Sequence, residues 1–260
     1  MFESSILGIV QGLTEFLPVS SSGHLALFQI LMGWGEGSLS FDIAVHFATM
    51  LATVVYFRTR IIEILSGWFS GLFSSGSRSK EGWNTGWAII GGNCITVPVA
   101  LALKPFVEKW IFSTLAVGIA LLVTSLVLWY AVSLRTGNRK VSFSRSLFIG
   151  FVQGLAVIPG ISRSGVTIVA GLSSGISPER AFSFSFLLSL PAILGANILE
   201  VVNNSSFSTL PEGWLAGAVM AFLSGYLALG FLHKIVTMGR WRGFAVYCAC
   251  IGFLCIFLNF

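Results

Sequence analysis

The chain reads as an all-α, polytopic membrane protein, with six transmembrane helices plus two re-entrant helix hairpins in an inverted-topology repeat. Three observations point there. Of its 260 residues, 55% are hydrophobic and only 10% charged, with a mean hydropathy of +0.88; a soluble domain carries about a quarter charged residues. Six apolar runs approach the ~20 residues that a spanning helix needs. Two segments also copy each other: GIVQGLTEFLPVSSSG at 8–23 and GFVQGLAVIPGISRSG at 150–165 agree at eight of sixteen positions with an offset of 142. An internal repeat governs the fold and is settled first.

The elements follow in order. Residues 6–17 are apolar for about a dozen residues, or roughly 18 Å as helix, too short to cross a membrane. Pro18 and the Ser20-Ser21-Ser22-Gly23 run break this stretch, and a second short apolar stretch covers 25–33. Irregular backbone at membrane depth survives only where protein buries it or water reaches it, so the break is expected to line a polar cavity. Spans are predicted at 41–57, 85–103 and 111–133. Within the first connection, 68–73 reads as an interfacial segment and 74–77 as a flexible turn. The design then repeats: apolar 147–158, a break at Pro159-Gly160, apolar 165–175, and spans at 181–201, 214–233 and 243–259. The whole of 1–260 forms one integral membrane domain, with repeat halves of approximately 1–133 and 143–260. Each half is a hairpin plus three spans. Three is odd, so the second copy enters from the opposite face, as in many transporters.

The formal net charge of +5 sits in loops, which fits membrane orientation rather than nucleic-acid binding. Arg58, Arg60, Arg78 and Lys80 lie in one connection, Arg135, Arg139, Lys140 and Arg145 in another, and Lys234, Arg240 and Arg242 in a third. The intervening loops hold Lys104 and Lys109, or, over 202–213, no Lys or Arg. By the positive-inside rule the rich loops are cytoplasmic. Hairpin 1 and both termini then fall on the outer side. No basic segment precedes an apolar one at Met1-Phe2-Glu3, so a cleaved leader is not expected. Cys94, Cys248, Cys250 and Cys255 lie in apolar runs without zinc-site spacing and read as packed residues.

The chemistry concentrates in the two breaks. Glu15 is an acid inside an apolar re-entrant helix, costly there and so a functional candidate. Gln11 precedes it by four residues, on the same helix face. Their oxygens suit a hard divalent cation, Mg²⁺ or Ca²⁺. Arg163 offers a planar fork for phosphate oxygens. Ser162, Ser164 and Thr167 add hydroxyls, and a helix starting near Ser164 adds free N–H groups. In hairpin 1, Ser21 faces the repeat position of Arg163, with Ser20 and Ser22 matching Ser162 and Ser164. His24 stands three residues after Ser21 and suits proton transfer. Asp42 and His46, four apart, read as a solvated helix end, with a supporting role or cation steering as the alternative. Asn197, Glu200 and His233 read as interfacial, and mid-span Asn93 as a helix–helix hydrogen bond.

These motifs resemble the undecaprenyl-pyrophosphate phosphatase family of the bacitracin-resistance type. The family's pattern is glutamate or glutamine, three residues, glutamate, then PVSSSGH; it stands here from Gln11 through Glu15 and Pro18 to His24. The second signature, P-G-x-S-R-S-x-x-T, is intact from Pro159 to Thr167. The resemblance covers essentially the whole chain. It implies hydrolysis of a polyprenyl diphosphate carrier to the monophosphate for cell-wall synthesis, and divalent-cation dependence. It also implies a multi-pass protein of the bacterial inner membrane whose site opens to the periplasmic side. Glu15, Ser21, His24 and Arg163 are the expected catalytic set, Gln11, Ser22, Ser162, Ser164 and Thr167 the substrate-binding set, and Glu15 and Gln11 the metal ligands. The partners expected are the lipid substrate and membrane lipids, with no nucleic acid and a homodimer left open.

Two other classes compete. An inverted repeat also suits a transporter or flippase of a phosphorylated polyprenyl lipid. Type 2 phosphatidic-acid phosphatases share Ser-Gly-His and Ser-Arg fragments, but their later His with a downstream Asp has no counterpart: only His233 follows Arg163.

Overall fold

The computed structural model describes residues 1–32, 39–110, 113–135, 137–203, 210 and 212–258. Every element in them is helical: α1 (Phe2–Phe16), α2 (Ser21–Met32), α3 (Leu39–Tyr56), α4 (Arg58–Phe73), α5 (Glu81–Trp110), α6 (Thr114–Ser133), α7 (Phe143–Leu155), α8 (Arg163–Ser173), α9 (Pro178–Asn203), α10 (Trp214–Thr237) and α11 (Arg242–Leu258). An isolated bridge between Arg139 and Ile176 ties the connection after α6 to the end of α8.

Among the described residues, four helices are long and apolar enough to cross a membrane: the stretches Glu81–Val107, Thr114–Ser133, Pro178–Val202 and Trp214–Thr237. The predicted span 41–57 corresponds to α3, which meets α4 at a 75° bend; the bent pair counts as a fifth candidate. The predicted span 243–259 corresponds to α11, a shorter apolar helix of 17 residues. Residues 33, 111–112, 204–209, 211 and 259, on which parts of the predicted hairpin, spans and outer loop fall, lie outside the described residues. Residues 68–73, read as interfacial, form the last turns of α4. One local expectation is corrected: the serine-rich segment after it forms a 3₁₀ helix, Ser75–Ser79, rather than a flexible turn. Its hydroxyls and backbone close i→i+3 bonds, such as Ser77 N to Ser74 O at 3.1 Å.

Glycines decide how the repeat helices pack. A methyl group at Gly8 would fall on the backbone of Gly217 in α10, and one at Gly12 on Ala221, Ser224 and Gly225. At the repeat-related positions, a methyl at Gly150 would strike Gly92 in α5, and one at Gly154 would meet Thr96 and Val99. Lipid gives helices little hydrophobic reason to associate, so close backbone approach through small residues supplies the dispersion contact instead. The same four-residue glycine spacing thus seats α1 on α10 and α7 on α5. Below the hairpins, Phe16, Phe57, Phe182 and Phe186 interlock, with Phe16 and Phe186 edge-on at 5.6 Å between centroids. Asn93 donates to Leu188 O at 3.0 Å, the interhelical bond expected of it. Cys248 is buried against Pro18 O, and all four cysteines are free thiols.

Candidate active site

Each hairpin turns the same way. α1 ends at Phe16 and α2 starts at Ser21; α7 ends at Leu155 and α8 starts at Arg163. The first break, 17–20, is thus shorter than the sequence suggested and the second, 156–162, longer, and Ser20 and Ser162 stand at the helix starts. Ser20 Oγ accepts from Gly23 N at 3.4 Å, and Ser162 Oγ accepts from Gly165 N at 3.2 Å, the same N-cap in both copies. Each cap serine also touches the hydroxyl two residues on: Ser20 with Ser22 at 3.4 Å, Ser162 with Ser164 at 3.3 Å. The caps differ in backbone. Ser20 sits at φ 69°, whereas in hairpin 2 the positive φ, 97°, falls on Gly160. A serine in the left-handed region carries strain that the surrounding contacts must offset.

The two tips meet inside the protein. Gly160 N donates to Ser20 Oγ at 3.0 Å, and Ser164 Oγ reaches Leu17 O at 3.4 Å. Thr124 of α6 clamps the second tip, donating to Gly160 O at 2.9 Å and accepting from Ser162 N at 3.0 Å.

This docking brings the two first helical residues, Ser21 and Arg163, onto one carboxylate. Ser21 Oγ donates to Glu15 Oε2 at 2.7 Å, and Gln11 Nε2 donates to the same oxygen at 3.1 Å. Arg163 Nη2 pairs with Glu15 Oε1, and His46 Nε2 lies 3.6 Å from Oε2. The Glu15 side chain is 6% exposed and that of Arg163 17%. A charge pair this deep persists because each partner compensates the other; removing one costs about 3–5 kcal/mol. Arg163 Nη1 is buried without a hydrogen-bond partner among the described residues, as are Gln11 Oε1 and Gln153 Oε1. A cavity of about 270 Å³ adjoins them, walled by Glu15, Ser20, Ser21, Ser22, His46, Gln153, Ser162 and Arg163, with α9 opposite at Ser189 and Ile193.

The sequence-predicted residues divide into two groups. Glu15, Ser21, Ser22, Ser162 and Arg163 line this cavity, and Gln11 stands behind Glu15. Ser164 and Thr167 are buried in scaffold contacts: Thr167 Oγ1 donates to Arg163 O at 2.7 Å and lies 2.5 Å from Ser185 Oγ. His24 also turns from the cavity. Its Nδ1 is 2.9 Å from Ser20 O, its Nε2 is 2.7 Å from Tyr247 OH, and its ring stacks on Tyr247. The imidazole on the cavity wall is His46, which sequence reasoning read as a solvated helix end. Its Nδ1 is 2.8 Å from Asp42 O, leaving Nε2 toward Glu15. Tyr247 and Gln153 were also missed as neighbours of the site. The signal for Gln153 was present in its repeat match to Gln11; nothing local marks Tyr247.

Among the described residues no three His, Cys, Asp or Glu side chains cluster as a metal cage. The donors nearest Glu15 fit a hard cation of another kind. Gln11 Oε1 is a buried, unpartnered oxygen beside a carboxylate, and a cation that shares phosphate oxygens with a substrate needs only one or two protein ligands.

The chain matches the model of the family described as bacitracin resistance protein BacA over residues 4–254. It is 45% identical over 258 residues to an undecaprenyl-diphosphatase of Desulfosudis oleivorans, covering 95% of this chain and 94% of the relative. It is 41% identical over 275 residues to one of Desulforapulum autotrophicum, covering 100% and 99%, and 40% identical over 258 residues to one of Korarchaeum cryptofilum, covering 96% of each. The family match takes in both hairpin tips and the helices that seat them, and on that extent this chain belongs to the bacitracin resistance protein BacA family.

Proposed function

We propose that this chain is a membrane phosphatase that hydrolyses undecaprenyl diphosphate to the monophosphate and inorganic phosphate, returning the lipid carrier to cell-wall synthesis. One observation carries the mechanism: a serine from one hairpin and an arginine from the other converge on a single buried carboxylate beside a polar cavity. Arg163 keeps Nη1 for the terminal phosphate, and the first turns of α2 and α8 aim N–H groups at the same region. Ser21 Oγ attacks the terminal phosphorus while its proton passes to Glu15 Oε2, the oxygen it already touches. The bridging P–O bond breaks and the polyprenyl monophosphate leaves. Water then cleaves the Ser21–phosphate ester, returning the proton to Ser21. Positioning and charge neutralisation do most of the work in such transfers. His24 and Tyr247 hold the α2 start, so His24 acts on Ser21 through the Ser20 backbone. Ser22 and Ser162 offer hydroxyls at the rim; Ser164 and Thr167 shape the Arg163 turn. Glu15 and Gln11 would hold a Mg²⁺ or Ca²⁺, which would neutralise diphosphate charge when bound.

The reading includes six spans (α3, α5, α6, α9, α10 and α11), an inverted repeat of halves near 1–133 and 143–260 within one domain, and a plasma-membrane site open to the outer side. The matched glycine seats of α1 on α10 and α7 on α5 support the repeat. Arg60 and Lys140, from different basic connections, line one cavity, as loops on a common face would. Phosphate release from a polyprenyl diphosphate by purified protein tests the activity; binding of the lipid without release would overturn it. A chelator arm tests the cation. For topology, Ser22→Cys and Val157→Cys, in a background lacking native cysteines, should both react with a polar thiol reagent added outside. Asn138→Cys should react only from the cytoplasm.

A further inference from the structure

Gln153 has no part in the hydrolytic steps described above, yet it stands in the wall of the same cavity. It repeats Gln11 in the second hairpin and is 5% exposed. Thr96 of α5 fixes how its amide points. The single hydroxyl hydrogen of Thr96 goes to backbone carbonyls, with Gly150 O at 2.8 Å and Gly92 O at 3.0 Å. Thr96 Oγ1 is left to accept, and Gln153 Nε2 donates to it at 3.2 Å. Oε1 is therefore the free end of the amide. It is buried and has no hydrogen-bond partner among the described residues. An acceptor buried without a donor is costly, so this oxygen is placed for an occupant of the cavity. An ionised phosphate offers only acceptors and does not pair with an amide oxygen. A cation is poorly served. Val157 stands one turn on, where the first copy has Glu15, and Arg163 brings a positive charge to the same cavity. Water has the hydrogen that Oε1 needs.

We infer that Gln153 Oε1 holds the water that cleaves the Ser21–phosphate ester. The inference rests on the two-step phosphatase reading and names the group that orients its second nucleophile. Attacking and leaving oxygens lie roughly in line across phosphorus, and a side-chain amide can orient the attacking water. The water then comes from the side away from Ser21. Ser21 and Glu15 belong to hairpin 1, whereas Gln153 and Thr96 come from α7 and α5. Beside Gln153, Ala100, Ala156 and Val157 offer water no competing side-chain partner. In the first step the polyprenyl monophosphate leaves on that side, and water takes the place it vacates. The water oxygen bonds to phosphorus and the bond from phosphorus to Ser21 Oγ breaks. Glu15 returns to Ser21 Oγ the proton it took in the first step, across the contact at 2.7 Å. Both hydrogens of the water depart with dihydrogen phosphate, so the amide orients and takes no proton.

The test is Gln153→Met, which keeps length and loses the acceptor, in the purified full chain with a polyprenyl diphosphate radiolabelled in its terminal phosphate. Slowing only the second step should lower kcat about 100-fold and lower KM with it, leaving kcat/KM within a few-fold of the parent. Acid quenching during turnover should find most of the variant labelled on Ser21, against a small fraction of the parent. Thr96→Val frees the amide and leaves Gln153 in place; it should show the same pattern with kcat down about 10-fold, and it carries the test if Gln153→Met loses its thermal unfolding transition. An unchanged kcat in either folded variant would overturn the inference. So would a fall in kcat/KM as large as that in kcat with no labelled serine, since Gln153 would then act before the ester forms. No phosphate release by the parent would remove the phosphatase reading itself. Release by the parent, with Ser21→Ala keeping a tenth or more of it, would remove the ester and this inference while leaving the phosphatase standing.

Discussion

The two hairpin tips share a backbone and differ in chemistry. Ser20 and Ser162 cap α2 and α8 through the same bond, to the N–H three residues on. The residue after each cap is Ser21 in one copy and Arg163 in the other, and both reach the same carboxylate. Gln11 and Gln153 make the point again. Each is buried with a free Oε1, but Gln11 Nε2 has Glu15 four residues on, whereas Gln153 has Val157 and turns to Thr96 Oγ1 at 3.2 Å. The cap serines hold the same geometry in both copies, and in the proposed mechanism the unlike residues Glu15, Ser21 and Arg163 carry the reaction.

That division can be broken most sharply at Ser21. Ser21→Ala should lower phosphate release by at least about 10³-fold if the serine is the nucleophile. Retention of a tenth or more of the activity would assign the attack to water. Arg163→Lys keeps the charge and loses the fork, so kcat/KM should fall about 100-fold; near-normal turnover would reduce Arg163 to a strut. Glu15→Gln should cripple turnover and raise the divalent cation concentration required, while Gln11→Glu should be tolerated and lower that requirement. An unchanged cation dependence in both would remove the proposed ligands. The shared positions should behave otherwise. Ser162→Ala should cost about 1 kcal/mol of stability, measured by thermal unfolding, with kcat within a few-fold of the parent. Ser20→Ala should cost more, because Ser20 Oγ also takes Gly160 N. A collapse of kcat in Ser162→Ala without loss of stability would move that serine from scaffold to chemistry.

Composition and the long apolar runs determined that this chain is helical and membrane-bound: a chain with 10% charged residues cannot clothe a soluble surface, and runs of about 20 apolar residues suit spanning helices. The repeat, the cap serines, and the Glu15, Ser21 and Arg163 trio were likewise legible, since each rests on spacing along one short segment. The tertiary structure decided the rest. Side chains leave a helix start about 100° apart, and which of them faces the other hairpin depends on how the two tips dock. Docking sent His24 to Tyr247, 223 residues away, and turned Thr167 into Ser185. It also brought His46 from α3 to Glu15. The bend between α3 and α4 and the cavity at the starts of α5 and α9 are of the same kind. They arise from contacts between segments far apart in the chain, and no local periodicity encodes them.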